Sequence, residues 1–181
     1  GGLIAHSDFT LTDTPYVRGG LAIKGFDGEG FACRDTVIIK SGHLESFLHN
    51  SVTASHFNIE NTANASRGTK SALSVSPSHL MVAPGKQSVT ETLSGTYLEL
   101  VSLQGVHSGA NAVSGDYSLG ASGFLCRDGQ RIQAVRGITV AGNFYEMLIK
   151  IDAISDQVSS DHGRTFFAPH IRFNKLNIAG A

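Results

Sequence analysis

Eight histidines, two cysteines and fifteen acidic residues are the side chains of this 181-residue sequence that could hold a metal or drive hydrolysis. A zinc-peptidase helix carries His-Glu-x-x-His, because residues four apart share a helix face and the Glu can act as base. No such motif occurs. His43, His49 and His56 are spaced by six and seven residues, which puts them on no common helix or strand face. Three loop-borne ligands stay open as the alternative to solvated or hydrogen-bonded histidines. Ser, His and Asp are plentiful, yet no Gly-x-Ser-x-Gly elbow exists to hold a strained, exposed serine. Cys33 and Cys126 are followed by Arg34 and Arg127. A nearby cation would activate a thiol, but adjacent side chains on a strand point to opposite faces. Both cysteines therefore read as reduced, packed thiols. There is no Walker loop and no Gly-x-Gly-x-x-Gly before a helix.

The elements that must position these residues are mostly strands. A hydrophobic share of 41% with only 16% charged residues argues against disorder, and 21 Gly with 4 Pro suits a β-rich domain with tight turns. The 14 basic residues are scattered and the net charge is -1, which gives nucleic-acid binding no support. No apolar run approaches the roughly 20 residues that cross a bilayer, and no signal-peptide pattern opens the chain. The expected location is cytoplasmic, where the Asn64-Ala65-Ser66 sequon has no meaning. The opening Gly1-Gly2-Leu3-Ile4 reads as the middle of a longer protein.

Along the chain, 21–26 reads as extended and Asp27-Gly28-Glu29-Gly30 as a turn. Residues 36–40 form a β-branched strand and Ser41-Gly42 a turn. Leu44, Phe47 and Leu48 fit a short helix over 43–51. Residues 54–76 read as a loop crossing the surface. Strands are predicted at 79–83 and 96–103, with a helical turn at 88–93. Asp128-Gly129 between apolar runs is a hairpin signal. Phe144, Met147, Leu148, Ile151 and Ile154 form one apolar face of a helix over 144–154, with Asn143 as cap and Glu146 three residues on. A phase flip inside a last strand over 170–178 predicts a bulge near Asn174-Lys175. Gly30–Asp35 and Gly123–Asp128 echo each other and suggest two similar hairpins. The fold class expected is α+β and β-dominated. It has a strongly curved or barrel-like, mostly antiparallel sheet and one amphipathic helix near 144–154, in a single domain over 1–181.

The order of the small motifs says more than any one of them. Phe26-Asp27-Gly28-Glu29-Gly30, Ser41–Leu48, Thr53–His56, Asn64-Ala65-Ser66-Arg67-Gly68, Pro84-Gly85, Ser114–Ser118, Val140–Asn143 and Ile178-Ala179-Gly180 fall in series. Together they resemble the carboxy-terminal domain of the TldD/PmbA family, once described as modulators of DNA gyrase. One branch of that family, TldD, resembles a zinc metallopeptidase with a His-Glu-x-x-x-His pair and a late Cys ligand. Here the late segment reads Asp161-His162-Gly163-Arg164-Thr165-Phe166-Phe167-Ala168-Pro169, with no Cys. The departure points to the PmbA/TldE branch.

The resemblance implies a non-catalytic partner of a TldD-like subunit, with zinc in that subunit and no catalytic, cofactor or metal residue in this chain. The pair would process or degrade unfolded peptides, such as antibiotic leader peptides and antitoxins. The candidate peptide-surface residues are Asn64, Arg67, Gly115, Asp116 and Ser118, with a plain turn as the alternative role for Gly115 and Asp116. No nucleic acid or membrane partner is expected. Lack of the family's amino-terminal domain would expose apolar surface and allow self-association. The competing readings are a protein-binding regulatory module acting on gyrase and an independent peptidase with an unrecognised site.

Overall fold

The computed structural model describes residues 2–180. In chain order the elements are β1 (Leu11–Thr14), β2 (Thr36–Lys40), β3 (His43–Leu44), α1 (Ser51–Phe57), β4 (Ala65–Ser66), β5 (Ser74–Val75), β6 (His79–Val82) and α2 (Val89–Thr92). They continue with β7 (Thr96–Gln104), α3 (Val106–Gly109), β8 (Asp116–Arg127), β9 (Gln130–Asn143), α4 (Phe144–Ile149), β10 (Ile151–Ser160), β11 (Phe166–Phe173) and β12 (Asn177–Ala179). The fold is β-dominated, as the sequence pattern requires. The chain forms two compact units. The first holds the start up to Leu3, Ser7–Pro84 and Val158–Pro169, and the second holds Ile4–His6, Gly85–Gln157 and the chain from His170.

In the first unit, β1 pairs antiparallel with both β2 and β6, and β3 adds to β2. Phe166 and Phe167 of β11 lie parallel to Leu80 and Met81 of β6. The core is unusually polar. His79 is fully buried, with its ring edge-on to Phe167. Its Nδ1 lies 2.9 Å from the Thr14 carbonyl, and its Nε2 accepts the Ala22 N–H at 2.9 Å. A carbonyl can only accept, so the proton sits on Nδ1 and the tautomer is fixed. This histidine is spent on structure.

The second unit is organised by the long β8–β9 hairpin, in the sheet order β12-β9-β8-β7. Asp128 and Gly129 both take positive φ, 50° and 79°, as a two-residue type I′ turn demands. Ala121, Ile138 and Val140 are buried on one face, with Leu98, Leu100, Tyr117, Val135 and Leu176 packed around them. At Gly123 a Cβ would sit 1.8 Å from the Glu99 carbonyl oxygen, so β7 and β8 approach this closely only because no side chain is there.

Several expectations are corrected. Neither large sheet closes: in the six-stranded order β10-β11-β6-β1-β2-β3 and in the four-stranded order, no pairing joins the two end strands among the described residues. The edges of the second are β7, with nine residues, and β12, with three, and they do not pair with each other among the described residues. The helix predicted over 144–154 ends at Ile149, and Ile151–Ser160 is a strand. There the Gly85 N–H donates to the Ser155 carbonyl and Asp156 N–H to the Gln87 carbonyl, while Ile151, Ala153 and Ile154 are buried. β-branched Ile151 and Ile154 gain more from that strand than from a helical stripe.

The helix predicted over 43–51 is instead β3 followed by irregular chain. The helix starts at Ser51, where Asn50 and Thr53 form a reciprocal capping box. The stretch 54–76 does not stay on the surface, since Thr62, Ala63, Asn64 and Ala65 are buried. The phase flip near Asn174-Lys175 is a break, with Lys175 at φ 59°. On one side β11 belongs to the six-stranded sheet, and on the other β12 pairs with β9. Of the two echoed segments only Gly123–Asp128 lies in a long hairpin. The first sits at a bridge between Phe26 and Ala32, and 21–26 is not a regular strand.

Gly20 tests the His79 arrangement. A Cβ there would lie 2.4 Å from His79 Nε2. Gly20→Ala is expected to lower stability by about 2 kcal/mol in urea unfolding. Gly25→Ala, whose Cβ would meet only Tyr16 Oη at 3.6 Å, is the control and should change little.

Candidate functional site

Two of the candidate surface residues lie in the first unit and three in the second. Asn64 is 2% exposed. Its Nδ2 donates to Asp13 Oδ2 at 2.5 Å and to the Ser76 carbonyl at 3.3 Å, and its Oδ1 accepts the Thr62 hydroxyl at 2.7 Å. Its backbone bonds the His49 carbonyl and the Ser76 N–H. Asp13 Oδ1 in turn accepts the Ser78 N–H at 2.6 Å. One amide thus ties β1, the α1 approach and the β6 approach together. Its neighbour Arg67 is exposed.

The Asp27–Gly30 turn locks into the same region. Asp27 Oδ1 accepts the N–H groups of Glu29 and Phe31, and Oδ2 accepts that of Ala65. Glu29 bonds both the backbone N–H and the hydroxyl of Ser51 at the start of α1. A carboxylate there complements the helix N-terminus. The sequence shows the turn, but not these two distant anchorages. Asp13 and His79 give no local signal of their roles, because each partner is remote in sequence.

In the second unit Gly115 is buried at φ 82°, and a Cβ there would lie 2.5 Å from the Tyr145 ring. Asn143 caps α4 through Oδ1, while its Nδ2 donates to the Ser114 carbonyl at 2.8 Å and to Asp116 Oδ1 at 2.9 Å. Tyr145 Oη donates to the Ala112 carbonyl at 2.7 Å. Gly115 and Asp116 are therefore a clasp holding the preceding loop on α4. Hydrogen bonds from Asn143, then Ser114, hold the Asp116 carboxyl below the ordinary range. Ser118 is exposed on β8 beyond the clasp.

Several other chemistry-bearing side chains have partners within the fold. His43 Nδ1 lies 3.1 Å from the Ser41 carbonyl, His49 Nδ1 lies 3.1 Å from the Thr53 hydroxyl, and His49 and His56 each pack edge-on against Phe57. Cys33 donates to the Ala63 carbonyl, and burial pushes its thiol pKa up, which disfavours the nucleophilic thiolate. Cys126 is buried beside Glu99 and Phe124. Arg131 grips Glu99 with Nε and Nη2 at 2.7 and 2.9 Å and stacks on Phe124.

In the late segment, Asp161 accepts the N–H groups of Gly163, Thr165 and Phe166, so a carboxylate closes the turn. Those bonds, that from Phe166 foremost, depress its pKa. Among the described residues no group of three or more His, Cys, Asp or Glu side chains is placed to hold a metal ion. The donors of the described residues do not converge on a metal centre. Ala63 at φ 59° and the buried, unpartnered Asn61 Nδ2 lie beside the Asn64 node. No sequence signal marked them.

Asn64→Ala is expected to cost about 3 kcal/mol, because it removes one hydrogen-bond partner each from a buried carboxylate and a buried hydroxyl. Arg67→Ala should stay within about 0.5 kcal/mol. Both are read by denaturant unfolding. Asn143→Ala is expected to move the Asp116 titration upward, measured by NMR. Because the folded carboxyl is depressed, its contribution to stability is present above the unfolded pKa of about 3.9 and is lost as pH falls through the folded value.

Comparison with known proteins places this geometry. The model of the PmbA/TldA metallopeptidase C-terminal domain matches residues 1–180. A metalloprotease PmbA homolog of Haemophilus influenzae is 30% identical over 95% of this chain and 36% of its own length. A metalloprotease TldD homolog of Buchnera aphidicola is 21% identical over 90% of this chain and 34% of its own. The crystal structure of TldE from Thermococcus kodakarensis superposes with a TM-score of 0.88 at 27% identity, covering 99% of this chain and 41% of that one. A Thermotoga maritima protein described as a modulator of a DNA gyrase gives 0.86 at 31% identity, covering 99% of this chain and 41% of that one. The chain thus spans well under half the length of these relatives. With a family model covering all but its last residue, the chain belongs to the TldD/PmbA family and corresponds to its C-terminal domain.

Proposed function

We propose that this chain is the carboxy-terminal domain of a PmbA/TldE-type subunit, the non-catalytic partner of a TldD-like zinc metallopeptidase that cuts unfolded peptides in the cytoplasm. The observation that carries this reading is the late segment. Where the resemblance to the TldD branch calls for a cysteine ligand, this chain has a turn closed by the Asp161 carboxylate on three backbone N–H groups. A metal shell built there would lack its third protein ligand. A TldD homolog aligns over 90% of this chain, which supports a partner with a domain of the same kind.

In this reading the metal and the catalytic base belong to the partner, and this chain shapes the surface against which a peptide lies. On the first unit Arg67 is exposed and able to touch a peptide, near the buried Asn64; on the second, taken by itself, Asp116 and Ser118 are exposed beside the buried Gly115. The outer edge of β7 ends its sheet, and Val101–Gln104 is exposed and free of charge. Such an edge can take an extended chain by backbone hydrogen bonds with little side-chain selectivity.

The test is cleavage of an unstructured peptide by the parent protein, by a TldD-like subunit and by their mixture. Cleavage is expected only in the mixture, and Asp161→Asn should leave it intact. Cleavage by the parent alone, abolished by a chelator, would overturn the reading.

A further inference from the structure

The chain contains two Asp-Gly pairs, Asp27-Gly28 and Asp128-Gly129, in opposite environments. An Asp-Gly bond isomerises without an enzyme when the glycine nitrogen attacks the aspartyl Cγ. Water leaves and a five-membered succinimide forms. Water then adds back at either carbonyl, giving aspartate or isoaspartate with no net change in mass. The step needs a free carboxyl, a mobile glycine nitrogen and an unhindered glycine.

At Asp27 all three are denied. The carboxylate is held by the N–H groups of Glu29, Phe31 and Ala65. The Gly28 N–H donates to the Ala65 carbonyl at 2.8 Å, and a Cβ on Gly28 would meet that oxygen at 3.1 Å. At Asp128 the two residues form an exposed turn tip. A Cβ on Gly129 would meet nothing within 4 Å. One backbone N–H, that of Gly95 at 2.7 Å, holds the carboxylate. Exposed turn tips are where local opening costs least.

We infer that Asp128 is a modification site where isoaspartate forms, and that Asp27 is protected by its clamp. The product inserts one methylene into the backbone of a two-residue turn and moves the carboxylate away from Gly95. That loosens the β8–β9 tip and creates a substrate for the class of enzyme that methylates isoaspartyl carboxyls.

The test is prolonged incubation of the folded chain at neutral pH. Proteolytic fragments are then assayed for isoaspartate by methyl transfer from S-adenosylmethionine with an isoaspartyl methyltransferase. The same assay is run on chain kept unfolded in urea. The folded protein is expected to accumulate at least about tenfold more isoaspartate at Asp128 than at Asp27, a barrier difference of about 1.4 kcal/mol. The ratio should approach one in urea. Equal accumulation in the folded protein would overturn the inference. So would isomerisation absent from folded Asp128 but present in urea, or an unchanged ratio on unfolding.

Discussion

The buried amide of Asn64 is the contact on which the first unit depends. A carboxylate such as Asp13, 1% exposed, is tolerable inside a protein only when its oxygens are hydrogen-bonded. Asn64 supplies one of those bonds and Ser78 N–H another. The amide oxygen of Asn64 binds the nearby Thr62 hydroxyl, and its backbone binds two further segments at His49 and Ser76. A core of this kind is exacting in position, since any shift leaves a polar atom unpaired. It also explains why a chain with modest hydrophobicity folds the 54–76 stretch inward. The stretch follows its hydrogen bonds and has few apolar side chains to bury.

The second unit uses the opposite strategy. Its sheet is held by the long β8–β9 ladder and an apolar face, with polar groups kept for the ends. Asn143, Asp116 and Tyr145 fasten the loop before β8 to α4, and Arg131 fastens β9 to Glu99 of β7 across Phe124. Motifs that mark the family in sequence turn out to be fastenings. Asp27 and Glu29 clamp a turn to Ala65 and α1, and Gly115 and Asp116 clasp a loop to a helix. Of the five candidate contact residues, those that reach solvent are Arg67, Asp116 and Ser118.

What the sequence made legible follows the range of the interactions involved. The strand at 36–40, the Asp128-Gly129 hairpin, the helical turn at 88–93 and the Asn143 cap were readable because their partners lie within a few residues. The helix over 144–154 was predicted too long because its apolar stripe runs on from the real helix into β-branched Ile151 and Ile154, whose strand is fixed by Gly85 and Gln87, far away in sequence. The bulge at 174–175 was misread because a phase flip looks the same whether a strand kinks or passes to another sheet. Family membership was legible in the series of glycine-bounded motifs. The roles of Asp13, His79 and Asn64 were not, because burial and pairing over 50 residues or more leave no local pattern.

The central claim is that this domain belongs to a subunit that works beside a TldD-like peptidase without a metal of its own. Native mass spectrometry of the parent protein with a TldD-like subunit, combined with zinc analysis, tests it most directly. The account predicts a one-to-one complex containing zinc, with the metal retained by the TldD-like subunit when the two are separated. Zinc bound by the separated parent, or no complex at all, would contradict it.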